Sequence, residues 1–163
     1  MEVLLLRHGV AEDGKPGTDD AGRALTRDGR AKLRLLLEQV AAAKVVPALI
    51  LSSPLLRAVQ TAEVAARVLG YRGEILQTRA LEPGSSPEAI WDEIRAHRDS
   101  PSLLLVGHNP LFSHAAAFLL DSPHLQIDFK KGAPLKVEFQ GFPSRPSGIL
   151  RWYLTPKLTR SKD

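Results

Sequence analysis

The stretch Met1-Glu2-Val3-Leu4-Leu5-Leu6-Arg7-His8-Gly9 places four consecutive apolar residues, Val3 to Leu6, directly before a guanidinium and an imidazole. A short unbroken apolar run of this kind reads as a strand buried on both faces, the habit of a parallel sheet. It is too short for the core of a signal peptide or for a membrane span, so a soluble, cytoplasmic protein is expected. Three more such runs follow at residues 48–51, 74–76 (the weakest) and 103–106. Between them the apolar residues change to helical spacing. Leu33, Leu36, Leu37, Val40 and Ala41 form one stripe, and Leu55, Ala58, Val59, Ala62, Ala66 and Leu69 form another. A third helix is expected to start near Ser85 and Ser86, with an early proline and with Glu88 at capping-box spacing from Ser85, ahead of Ile90, Trp91 and Ile94. A fourth follows Pro110, with Leu111, Phe112, Ala115, Leu119 and Leu120 on its apolar side.

Strand alternating with helix four times implies parallel strands joined by right-handed crossovers, a three-layer α/β/α sandwich. After residue 125 the pattern changes. Leu135, Val137 and Phe139 alternate with Lys136 and Glu138, and residues 149–154 form another β-prone run, with 141–148 as their connection. A terminal pair of strands with an antiparallel member is therefore expected to complete a mostly parallel sheet.

The chain has 163 residues, about one domain, and no repeat or long linker divides it. Residues 1–156 are read as the catalytic domain and 157–163 as a basic, solubilising tail. With 44% hydrophobic and 25% charged residues, a disordered or collagen-like chain is excluded. The absence of cysteine excludes disulfides, thiol catalysis, iron-sulfur clusters and thiolate zinc sites. A net charge of +4 fits an anionic substrate. The basic clusters are short and no aromatic platform stands out, so neither a nucleic-acid nor a membrane partner is expected. No oligomeric state is read from the sequence.

In an open α/β sheet ligands bind beyond the carboxyl ends of the strands, so the residues following each strand are the candidates. Arg7, His8 and Gly9 follow the first strand. Ser52, Ser53 and then Arg57 follow the second, Glu82 the third, and Gly107, His108 and Asn109 the fourth. Two guanidinium forks and two imidazoles match the oxygens of a phosphoryl group, and a neutral imidazole is a competent nucleophile at phosphorus. The set reads as phosphoryl transfer without a metal or cofactor. A metal site of His8, His108 and Glu82 is the alternative, but the two arginines beside it would repel a cation. Arg57 could instead be a surface residue paired with Glu63. Arg23, in a polar loop of residues 14–23, could fold over the pocket. Glu82 could be a proton donor or a plain loop carboxylate. His97, His114 and His124 have no motif context and are read as surface or packing residues, and Trp91 as core.

The segments LLLRHG (Leu4 to Gly9), SSPLLRAVQTA (Ser52 to Ala62) and GHNP (Gly107 to Pro110) resemble the histidine phosphatase, or phosphoglycerate-mutase-like, superfamily. Chain length, Leu25-Thr26-x-x-Gly29 and the stretch from Trp152 to Pro156 look like its small phosphohistidine-phosphatase branch. The resemblance implies that His8 is the phosphorylated nucleophile and that Arg7, Arg57 and His108 clamp the phosphate. Arg23, from its place in the polar loop, and Asn109, from its place after the fourth strand, are read as further substrate contacts, with a solvated surface arginine as the alternative for Arg23. Larger family members carry an acidic proton donor in an insertion that is missing here, which leaves Glu82 as the one candidate acid. A phosphohistidine substrate tolerates that loss, since imidazole is an easier leaving group than an alkoxide. The implied substrate is a phosphorylated protein. A small phosphorylated metabolite is the enzymatic alternative, and a non-catalytic phosphate-binding module the other.

Overall fold

A computed structural model describes residues 1–158. Its six strands are β1 (Glu2–Arg7), β2 (Leu49–Ser52), β3 (Ile75–Gln77), β4 (Ser102–Gly107), β5 (Pro134–Glu138) and β6 (Ile149–Tyr153). Four helices, α1 (Arg27–Ala42), α2 (Leu56–Leu69), α3 (Pro87–Ala96) and α4 (Leu111–Leu119), connect the first five. The strand order is β3-β2-β4-β1-β5-β6 in a single sheet, and β3, β2, β4 and β1 run parallel. β5 is antiparallel to β1, and β6 is antiparallel to β5. The sandwich is the expected one, and both terminal pairings, not just one, are antiparallel. A 3-10 turn at Pro156–Leu158 crosses the expected boundary between domain and tail, and the rest of the tail, 159–163, lies outside the described residues.

Alternation along the strands sorts the core into two layers. Leu4, Leu6, Ile50, Leu104 and Val106 face α1 and α2, where Leu33, Leu37, Val40, Ala58, Ala62 and Leu69 meet them. Val3, Leu5, Leu51, Leu103 and Leu105 face α3 and α4, against Ile90, Trp91, Ile94, Phe112 and Ala115. Each fully buried large apolar side chain contributes about 1.5–3 kcal/mol relative to exposure. Trp91 belongs to this core: it packs on Phe139 and Phe142, and its indole N–H is donated to the Pro143 carbonyl at 3.1 Å. The α3 cap differs by one residue from the expected capping box. Ser86, not Ser85, is the N-cap and accepts from the Ala89 amide, because Pro87 occupies the first helical position.

The chain leaves β1 toward one face, through α1, and leaves the adjacent β4 toward the other, through α4. That reversal opens a crevice at the carboxyl ends of β1, β4 and β2. Two glycines let the surrounding elements close on it. A Cβ on Gly29 would stand 2.2 Å from the Val10 carbonyl oxygen, so only glycine allows the first turn of α1 to rest on the exit of β1. A Cβ on Gly107 would stand 2.8 Å from the Phe112 ring and 3.2 Å from the Leu81 carbonyl, so glycine allows the segment after β3 to pack over the end of β4.

Candidate active site

Register brings the two histidines together. Arg7 lies opposite Gly107 in the β1–β4 ladder, and the His8 amide continues it to the Gly107 carbonyl at 2.9 Å. His8 and His108 are therefore each the first residue past paired strand ends, and their ring centroids are 5.2 Å apart. The Ser53 amide extends the β2–β4 pairing in the same way, onto the Val106 carbonyl, and Ser53 Oγ lies 2.8 Å from His108 Nε2. Thr61 ties α2 to the β1 exit: its hydroxyl donates to the Arg57 carbonyl and accepts from the Gly9 amide. The serine and threonine that flank Arg57 in the sequence thus orient the parts around it.

Arg7, His8, Arg23, Arg57, His108 and Asn109 line one cavity of about 330 Å³, together with Asp20, Lys131, Ala11 and Pro83. Arg57 is 4% exposed and does not pair with Glu63. Its Nη1 donates to the Asp20 carbonyl at 2.9 Å and its Nη2 to Asp20 Oδ2 at 3.0 Å. Arg7 Nη1 donates to the Phe129 carbonyl. Buried and without a hydrogen-bond partner among the described residues are Arg7 Nε, Arg57 Nε and His108 Nδ1, groups that an oxyanion would satisfy.

Both imidazoles are held neutral. His8 is lowered to about 4, first by burial and then by Arg57, Arg7 and Lys131, against the opposing effect of the Gly9 carbonyl. His108 is lowered to about 3, again chiefly by burial, with His8 and the arginines adding to it. Since a carbonyl can only accept, the 2.7 Å contact from His8 Nδ1 to Gly9 O places the proton on Nδ1 and leaves a lone pair on Nε2. Both folded values lie below the ordinary 6.5, so in the window between them the unfolded chain binds more protons. The stability contributed by the neutral rings is complete above about 6.5 and is lost as pH falls toward 4 and then 3. A proton-NMR titration of the ring signals should show neither His8 nor His108 charging near 6.5. A half-protonation of His8 at that ordinary value would contradict the burial seen here.

The remaining expected residues divide. Arg23 is on the wall, with Nε donating to Asp20 Oδ1 at 2.8 Å and Nη1 to the Glu12 carbonyl. The loop of residues 14–23 does fold to the cavity, through a 3-10 turn at Asp20–Gly22. Asn109 lines the cavity, but its Oδ1 accepts from the Ser113 amide and hydroxyl at the start of α4, so only its amide nitrogen remains to be offered. Glu82 does not line the cavity: the chain presents Pro83 there instead. His97 pairs with Glu93, and His114 and His124 are exposed, all away from the cavity. Among the described residues, no group of three or more His, Cys, Asp or Glu is placed to hold a metal ion, and no helix is long and apolar enough to cross a membrane.

Two wall residues had no signal in the short motifs. Lys131 arrives because β5 starts beside the end of β1, with Pro134 opposite Leu6, so the residues before β5 pass the site and the Gly132 amide binds the Arg7 and His8 carbonyls. An antiparallel strand paired with the first one is the signal that could have found it. Asp20 is one of several acids in an exposed loop. A larger cleft of about 520 Å³ between α1 and α2, lined by Arg30, Arg34, Glu38 and Arg67 among others, has no imidazole.

The profile of the histidine phosphatase superfamily (branch 1) matches residues 3–82. An uncharacterized protein of Picosynechococcus sp. is 34% identical over 131 residues, 78% of this chain and 79% of its own. Among solved structures, the protein histidine phosphatase SixA complexed with tungstate superposes with a TM-score of 0.84 at 26% identity, over 96% of this chain and 98% of that one. A mycobacterial glucosyl-3-phosphoglycerate phosphatase, at 17% identity, shares the fold with a TM-score of 0.64 over 91% of this chain and 96% of its own.

Proposed function

Because this chain belongs to the histidine phosphatase superfamily, we propose that it hydrolyses phosphohistidine in a phosphorylated protein by way of a phosphoryl group carried on His8. The observation that carries the choice of substrate is the acid content of the cavity. Among the described residues its one carboxylate is Asp20, where burial raises the pKa but the hydrogen bonds and charges of Arg57 and Arg23 prevail and hold it below the usual range. Glu82 is off the wall. A carboxyl group that stays ionised donates no proton at neutral pH, so the favoured leaving group is one that departs without an acid. A phosphohistidine already protonated on its other ring nitrogen meets that condition: the leaving nitrogen takes the bonding pair and the ring departs as neutral imidazole, with no proton transferred in the step.

In the first step the His8 Nε2 lone pair forms a bond to phosphorus as the substrate N–P bond breaks. The Gly9 carbonyl holds the Nδ1 proton throughout, and so fixes the nucleophilic tautomer. Arg7, Arg57 and His108 supply the donors that now lack partners to the equatorial oxygens, where charge shifts during transfer. Water then attacks phospho-His8, and release of inorganic phosphate returns the neutral ring.

The test is turnover of a phosphohistidine protein, a sugar phosphate and an activated aryl phosphate by the wild type and by Glu82→Gln. We expect phosphohistidine to be the best substrate, alkyl esters to be slow already in the wild type, and Glu82→Gln to change phosphohistidine turnover less than about 3-fold. Loss of a true general acid would slow ester hydrolysis ~100- to 10,000-fold. Fast sugar-phosphate turnover that collapses in Glu82→Gln would instead establish a metabolite phosphatase with Glu82 as its acid.

A further inference from the structure

Arg57 is held at one edge and free at another. Its two terminal nitrogens, Nη1 and Nη2, are bound by the carbonyl and carboxylate oxygens of a single residue, Asp20. Its Nε is buried and has no partner. A guanidinium is a planar fork with five N–H groups, so a residue that takes the end edge leaves Nε–H and the second N–H of Nη2 as a side edge with fixed direction. Asp20 is itself tethered: Oδ1 accepts from Arg23 Nε, Arg23 Nη1 donates to the Glu12 carbonyl, and Asp19 Oδ1 caps the turn by accepting from the Ala21 amide. The chain Glu12–Arg23–Asp20–Arg57 thus links an otherwise exposed loop to the first turn of α2.

We propose that Asp20 is a positioning residue: it stays on the end edge of Arg57 during the reaction and turns the side edge toward the phosphoryl oxygens. The proposal rests on the phosphatase reading above. It assigns the loop of residues 14–23 a part in the chemistry through Arg57, without direct contact between Asp20 and the phosphoryl group. The opposite arrangement is a latch, in which the Asp20 carboxylate occupies the clamp as an anion and has to leave before substrate enters.

The two arrangements differ in sign. Removing a carboxylate makes the cavity more positive, which by Coulomb attraction alone tightens anion binding and would also release a latch. Loss of positioning acts against this, and it acts most on the five-coordinate geometry of phosphoryl transfer, where both equatorial contacts have to be aligned. Asp20→Ala should therefore lower kcat on an aryl phosphate ~10- to 100-fold and leave KM nearly unchanged. Measured by calorimetry, orthovanadate, which adopts five-coordinate geometry on a nucleophile, should bind about 10-fold more weakly or worse. Inorganic phosphate should bind at least as well as in the wild type. Asp20→Asn keeps an acceptor oxygen on the same turn and should recover part of kcat, which a purely structural role would not require.

An unchanged or raised kcat in folded Asp20→Ala, or orthovanadate affinity equal to or tighter than wild type, overturns the proposal. If Asp20→Ala does not fold, Asp20→Leu, close to aspartate in size and without a side-chain acceptor, carries the same comparison. Vanadate and phosphate binding need no turnover, so the two readings fail separately. A wild type that hydrolyses nothing while the vanadate contrast persists removes the phosphatase reading alone. A working wild type with no effect at Asp20 removes the positioning role alone.

Discussion

Replacing His8 by alanine is expected to lower turnover of every phosphorylated substrate by more than ~10,000-fold while the protein stays folded. The size of the effect follows from the mechanism, because a covalent route has no second path once the atom that receives the phosphoryl group is gone. The fold should survive for a local reason. His8 lies just past the end of β1, its amide keeps the bond to the Gly107 carbonyl, and the deleted ring borders a cavity rather than the interior of either apolar layer. Circular dichroism and thermal unfolding of the variant should therefore match the wild type to within a few degrees. Rapid mixing of the wild type with labelled substrate should trap phosphate on His8 that is labile in acid and stable in alkali. A folded His8→Ala variant with substantial residual turnover would end the covalent mechanism.

Arg57→Lys should lower kcat/KM by ~100- to 1,000-fold even though it conserves charge. In the structure Asp20 takes the end edge of this guanidinium and leaves its buried Nε without a partner, and the proposed mechanism gives that second edge to the phosphoryl group. An ammonium is a point charge on a flexible stem. It can remain with the Asp20 carboxylate or turn to a phosphoryl oxygen, but it cannot present a rigid fork to both. Steady-state kinetics of folded Arg57→Lys check this, and near-wild-type values would mean that the phosphoryl group is held by other donors.

The parallel strands, the amphipathic helices and the division of the core into two faces were legible because period-2 and period-3.6 patterns are written in consecutive residues. Val3 and Leu5 face one layer while Leu4 and Leu6 face the other, as backbone pleating dictates for neighbours in any strand. The convergence of Arg7, His8, Arg57 and His108 was legible for a related reason: residues that follow parallel strands emerge on the same edge of the sheet. Asn109 was on that edge too, yet its carbonyl oxygen is committed to the start of α4.

What came from tertiary structure alone is the side-chain traffic across the loops. Asp19 and Asp20 are equivalent as sequence, two neighbouring acids in one polar loop, and only the turn at Asp20–Gly22 delivers one of them to Arg57. Glu82 follows a strand as the other candidates do, but the packing of Leu81 over Gly107 sets the next residues so that Pro83 reaches the cavity and Glu82 does not. Lys131 lies more than a hundred residues from His8 and reaches the same wall through the antiparallel register of β5 on β1. Local periodicity follows from backbone geometry, which each segment carries with it. The partner of a loop side chain is decided by contacts between segments far apart in the chain, and those exist only once the sheet has closed.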